Sequence, residues 1–173
     1  MKIEIIPVGS LDVAILQYLR RVVSERLNAE VKVGARIPIE NFSKNMLRNQ
    51  YLSTSILNAL SGMKGSDEVV LLGVADVDLY VPSLNFVFGE ADQANGVAVI
   101  SIARLRPSFY GLQGEDGLIL KRAGKEAVHE LGHVFGWGHC VHPKCVMFFS
   151  NILTDTDLKD DRFCSECRKS LEY

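Results

Sequence analysis

The run HELGHVFGWGH, from His129 to His139, constrains this chain more than any other stretch, because it sets three imidazoles and one carboxylate at fixed intervals. A helix over roughly Asp116 to Phe135 puts His129 and His133 about 40° apart around the axis and about 6 Å apart along it, so both rings leave one face. Neutral imidazole nitrogen binds zinc at about 2.0–2.1 Å, and a catalytic zinc typically takes three protein ligands and leaves a fourth position for water. Glu130 leaves the helix about 100° around from His129, which keeps it out of the ligand set and free to take a proton from that water. His139 cannot belong to the same helix and still reach the ion. Gly136 supplies the reversal, since glycine takes positive φ past a helix end without a Cβ clash. Gly138 adds a second permissive position, and Trp137 is expected to pack where the chain turns.

The rest of the composition bounds the setting. With 173 residues, 47% of them hydrophobic, the chain can bury one good core. A net charge of -2 leaves no basic footprint for nucleic acid. No apolar run approaches the roughly 18 residues that span a bilayer, and MKIEIIPVGS lacks the pattern of an export signal. A soluble, cytoplasmic and monomeric protein is expected. The four cysteines fall as Cys140, Cys145, Cys164 and Cys167, a C-x4-C pair followed by C-x2-C. In a reducing compartment this spacing favours a closed structural zinc site over the alternative of two disulfides. His142 could compete as a ligand, but His139 already completes the histidine pattern.

Along the chain, Lys2–Ile6 reads as a first strand and Leu11–Leu27 as a core-packing helix capped by Ser10. Val31–Ile39 reads as a second strand, parallel to the first through a crossover. Asn41–Gln50 is expected to be loop. Ser53 or Thr54 can cap a short helix through Met63, ended by Gly62, Gly65 and Ser66. Val69–Val74 is a continuous aliphatic run, expected at the centre of the sheet. Asp76 and Asp78 could bind a hard cation, or simply serve turns and solvent. Phe86 and Phe88 alternate as in a short strand, and Gly96–Leu105 reads as another. Gly111–Gly117 is a glycine-rich connection. Asn151–Lys159 is polar, with Thr154 and Asp155 as capping candidates.

H-E-x-x-H-x-x-G-x-x-H resembles the zinc signature of the metzincin metalloproteases, and the four-cysteine continuation resembles the archaemetzincin subgroup. The resemblance implies an α/β (α+β) fold with a twisted mixed β-sheet, helices that include the zinc-binding one, and a small zinc-stabilised C-terminal lobe. It implies one catalytic domain over residues 1–173, with lobes at 1–136 and 137–173. Met147 then matches the methionine of a tight turn beneath the zinc histidines, a support and not a ligand. Read without the family, a methionine beside Phe148 and Phe149 is core. The family also places the Val97–Ile102 strand at the cleft edge, antiparallel to the sheet, where a substrate peptide could pair with it. The terminal Tyr173 receives no role.

The chemistry implied is amide hydrolysis of a peptide or protein substrate, with two Zn2+ per chain. His129, His133 and His139 would hold the catalytic ion, the four cysteines the structural one, and Glu130 would be the general base. The alternative is a catalytically silent peptide-binding scaffold that keeps the zinc architecture. Cys140 directly follows His139, so the two sites share one segment.

Overall fold

The computed structural model describes residues 1–114 and 116–169; Glu115, within the glycine-rich connection, and Tyr173 lie outside the described residues. A five-stranded mixed sheet runs in the order β2-β1-β5-β8-β7. Its strands are β1 (Lys2–Val8), β2 (Glu30–Val33), β5 (Val69–Ala75), β7 (Gly89–Asp92) and β8 (Val97–Ser101). Three short strands, β3 (Lys44–Asn45), β4 (Gln50–Leu52) and β6 (Leu79–Tyr80), form a separate small sheet. Helices α1 (Val13–Leu27) and α3 (Asp116–Val134) cover one face of the main sheet, packing on Ile3, Ile5, Leu72, Val74, Ala98 and Ile100. The opposite face packs Ile6, Val8, Leu71, Val97 and Val99 against α2 (Ser53–Met63). Short helices α4 (Leu153–Leu158) and α5 (Ser165–Lys169) follow α3.

The crossover from β1 through α1 to β2 is parallel, as the sequence predicts, and β5 lies between two partners at the centre. Several local expectations are corrected. The cap of α1 is Asp12, whose carboxylate accepts from the Ala14 amide at 2.8 Å, and not Ser10. The strand expected over Val31–Ile39 ends at Val33, and pairing with β1 resumes only at the isolated Val8–Ile37 bridge; between them Gly34 passes so close to Glu4 and Ile6 that a side chain would not fit there. The expected loop over Asn41–Gln50 contains the β3–β4 hairpin, held by Asn45 Oδ1 accepting from the Leu47 and Arg48 amides. Ser53 and Thr54 do not cap α2; their hydroxyls donate to Glu90 on β7 instead. Phe86–Phe88 is irregular apart from a bridge between Val87 and Leu79, and the strand starts at Gly89. The cap of α4 is Ile152, and neither Thr154 nor Asp155 occupies that position; Asp155 lies in the first turn, where its Oδ2 accepts from the Asn151 and Ile152 amides.

The largest correction concerns the cleft strand. β8 pairs with β5 in parallel and with β7 on its other side, so it is interior, and the antiparallel edge is β7. All five residues of β8 are buried, which fits a strand covered on both faces and not an edge. Gly-Glu-Ala-Asp of β7, short and charged, has the character of an edge strand.

Candidate active site

α3 carries the first half of the site on a face turned toward β7. Ala123, Ala127, Val128 and Leu131 are fully buried against the sheet and α1, while Glu126, His129 and Glu130 are buried on the neighbouring face. Spacing of three and four residues stacks those side chains along one stripe. The helix closes as a Schellman motif: the Gly136 amide donates to His133 O and the Trp137 amide to Gly132 O, both at 3.0 Å, with Gly136 at φ +92°. Trp137 then packs its ring on Phe163, centroids 4.9 Å apart, and the reversed chain returns His139 to within 5.4 Å of His129 and 4.7 Å of His133, ring to ring.

Hydrogen bonding sets the tautomers. His129 Nδ1 lies 2.8 Å from Val146 O, and His133 Nδ1 lies 2.7 Å from Trp137 O. A carbonyl oxygen can only accept, so each Nδ1 carries the proton and each Nε2 presents a lone pair. Those two Nε2 atoms face each other at 3.2 Å. Two lone pairs at that distance repel each other, and a cation bound by both relieves that repulsion. A tetrahedral ion with bonds of about 2.05 Å has ligand–ligand edges of about 3.3 Å, which the pair matches. One nitrogen from each of His129, His133 and His139 lies within 4.8 Å of the other two. Burial pushes the His129 imidazole down to about 3, with nearby Lys159 adding to the effect, and burial also lowers His133 and His139. All three rings are therefore neutral donors at physiological pH.

The cysteines pass a similar test. All four thiols are free, their sulfurs lie within 4.8 Å of one another, and the Cys140–Cys164 and Cys145–Cys167 separations are both 3.8 Å. Disulfide sulfurs sit about 2.05 Å apart, whereas a zinc tetrahedron with bonds of about 2.3 Å has edges of about 3.8 Å. The residues fit zinc in both clusters. His142 is not part of either; its Nε2 lies 3.0 Å from Glu166 Oε2 at the surface. Asp76 and Asp78 are committed elsewhere, with Asp76 Oδ2 2.6 Å from Arg106 Nη2 and Asp78 oxygens 2.6 and 2.8 Å from Arg104. Their forked pairing with guanidinium takes up the oxygens a hard cation would need.

A cleft of about 360 Å³ opens over the histidines, walled by Leu84–Gly89 on one side and Phe149–Asn151 on the other. Glu130 lies in it, and burial followed by the charge of Glu126 pushes its carboxyl up to about 8. Met147 is buried below, its sulfur so close to Gly132 that a Cβ there would overlap it. Sequence reading missed Glu126, which also lines the cleft, and its partner Lys159. The position of Glu126, one turn before Glu130 on the same stripe, was an available signal; nothing near Lys159 in the sequence marks it.

Comparison with known proteins identifies the lineage. The profile of peptidase family M54 matches residues 13–173. The archaemetzincin of Methanocaldococcus jannaschii is 44% identical over 172 residues, covering 99% of this chain and 93% of that protein. The crystal structure of archaemetzincin from Methanopyrus kandleri superposes with a TM-score of 0.83 at 39% identity, over 99% of this chain and 93% of that one. A zinc-dependent peptidase from Methanocorpusculum labreanum gives 0.87 at 31% identity, over 98% and 99%. Among the described residues no helix is long and apolar enough to cross a membrane. The chain belongs to peptidase family M54, the archaemetzincins, and is a zinc metallopeptidase.

Proposed function

We propose that the chain hydrolyses peptide bonds at the His129–His133–His139 cleft, with Glu130 as general base and a second, structural zinc in the Cys140–Cys145–Cys164–Cys167 cluster. The observation that carries this reading is the pair of Nε2 lone pairs facing each other at 3.2 Å beneath an open cleft. When bound there, zinc supplies Lewis-acid polarisation of the scissile carbonyl and acidifies water.

The chain's own groups do the remainder. Val146 O and Trp137 O hold His129 and His133 in the tautomer that donates from Nε2. Glu130, beside those rings and out of bulk solvent, takes a proton from water in the cleft and hands it to the leaving amine. β7 borders the cleft at Gly89 and offers its outer edge to an extended peptide, in place of the strand first expected. Met147 backs the site in the manner of a methionine turn, so the chain reads as a metzincin in which residues 1–136 and 137–173 act as two lobes of one domain. Four free thiols in close array favour a cytoplasmic setting, and we take the chain to act as a monomer on peptides or proteins.

Metal analysis with a peptide-library screen tests the reading. Two zincs per chain are expected, with Glu130→Gln retaining both while losing about 10²–10⁴-fold in turnover. Equal cleavage by Glu130→Gln and the parent would remove Glu130 from the mechanism.

A further inference from the structure

Beneath the cleft lies an ion pair with both partners out of solvent. Lys159 Nζ is 3.0 Å from Glu126 Oε1, with side-chain exposures of 0% and 2%. Glu126 precedes His129 by three residues and Glu130 by four, so it shares their stripe on α3. Thr156, from α4, donates its hydroxyl to the same Oε1 at 3.0 Å. Lys159, just past the end of α4, also directs Nζ at Phe148 O, 3.4 Å away.

Phe148 ends a short segment that touches the site twice. Val146 O accepts from His129 Nδ1 at 2.8 Å, and Met147 O accepts from the amide of Cys140, the residue after His139, at 2.9 Å. One ammonium thus joins the helix that bears two of the histidines to the segment that orients His129 and braces the approach to His139. Burying two opposite charges is costly, and an apolar pair of similar volume is often as stable or more so. What an apolar pair lacks is directed bonding to Phe148 O and Thr156.

We propose that Glu126 and Lys159 are positioning residues: the pair clamps Val146–Phe148 against α3 and thereby fixes the direction of His129 Nε2. The inference rests on the zinc reading given above. It extends that reading to Lys159, which is fully buried, and to Glu126, which stands at the floor of the cleft and outside the three-histidine cluster.

The test uses the full chain, with zinc affinity at the histidine site measured by competition against a chromophoric chelator and thermal unfolding followed in parallel. Glu126→Leu/Lys159→Met should unfold at or above the parent temperature, yet hold the first zinc about 10-fold or more weakly while the cysteine zinc stays bound. Parent-like affinity in that variant overturns the clamp and leaves the pair merely structural. Thr156→Val, nearly isosteric, removes one bond of the same network and should weaken the same zinc by about threefold. Should the double variant fail to fold, unchanged affinity in Thr156→Val overturns the proposal. A parent that binds only the cysteine zinc would instead overturn the zinc reading, and the inference with it, so the two failures are told apart.

Discussion

A Cβ added at Gly89 would lie 2.5 to 2.7 Å from Glu130 Cγ, Cδ and Oε1. No rotation of the new methyl avoids that overlap, so either β7 or the carboxylate must move. β7 is held to β8 by antiparallel pairing and tied to α2 through Glu90, whose carboxylate accepts from Ser53 and Thr54. The Glu130 side chain is the easier group to displace. A shift of about 1 Å in a catalytic group can cost about 10²-fold, so Gly89→Ala should lower kcat/KM by about that factor with zinc content unchanged. Steady-state kinetics with metal analysis checks this, and parent-like kcat/KM would show that Glu130 has room to spare. The sequence marks Gly136 plainly because it lies inside the histidine motif and is needed for a local reversal. Gly89 carries no such mark, because its reason is a neighbour remote along the chain.

Elements show where pattern reading succeeds and where it stops. The aliphatic run of β5 and the helical periodicity of α1 are properties of single segments, and both were legible in the sequence. Val97–Ser101 is as apolar as β5, and its own residues argue for an interior strand, although the family resemblance pointed to an edge. The wall of the cleft was not legible, because it depends on a clamp between separate elements. Arg104, in a short turn after β8, forks onto Asp78 and lays its guanidinium 4.1 Å from the Phe86 ring centroid and 4.8 Å from that of Phe109. The hydrogen bond to Asp78 raises the Arg104 pKa further, so this charge persists at every pH of interest. Phe86 lines the cleft, and a partly buried cation–π contact is worth about 1 kcal/mol. Arg104→Met should therefore raise KM for peptides by about fivefold while kcat changes little. A fall in kcat at constant KM would show that the clamp serves the chemistry and not the wall.

At the scale of the whole molecule, the histidine and cysteine clusters are consecutive in sequence and share a support. Cys140 follows His139, and its amide donates to Met147 O, while its sulfur lies 3.8 Å from Cys164 Sγ. The Val146 amide donates to Arg162 O, linking the same segment to the chain that leads into Cys164. Sequence spacing made both side-chain clusters legible, since each is built from short motifs. It could not show that Phe163 packs under Trp137, or that Lys159 reaches back to α3, because those contacts exist only once residues 137–169 fold back onto that helix. The consequence is that losing the cysteine site should be felt at the histidine site. Cys164→Ser removes one thiolate from a closed site, which should release that zinc and cost about 4 kcal/mol or more, the range reached when a structural metal is lost. For a chain of this length each kcal/mol is worth about 2–4 °C, so unfolding should begin at least about 8 °C earlier. The histidine zinc should weaken about 10-fold as His139 loses its brace. Glu130→Gln, by contrast, should leave the cysteine zinc and the unfolding temperature near the parent values. Calorimetry and chelator competition on both variants read these effects separately. Unchanged stability and unchanged histidine-site affinity in Cys164→Ser would show two independent sites that merely adjoin in the chain.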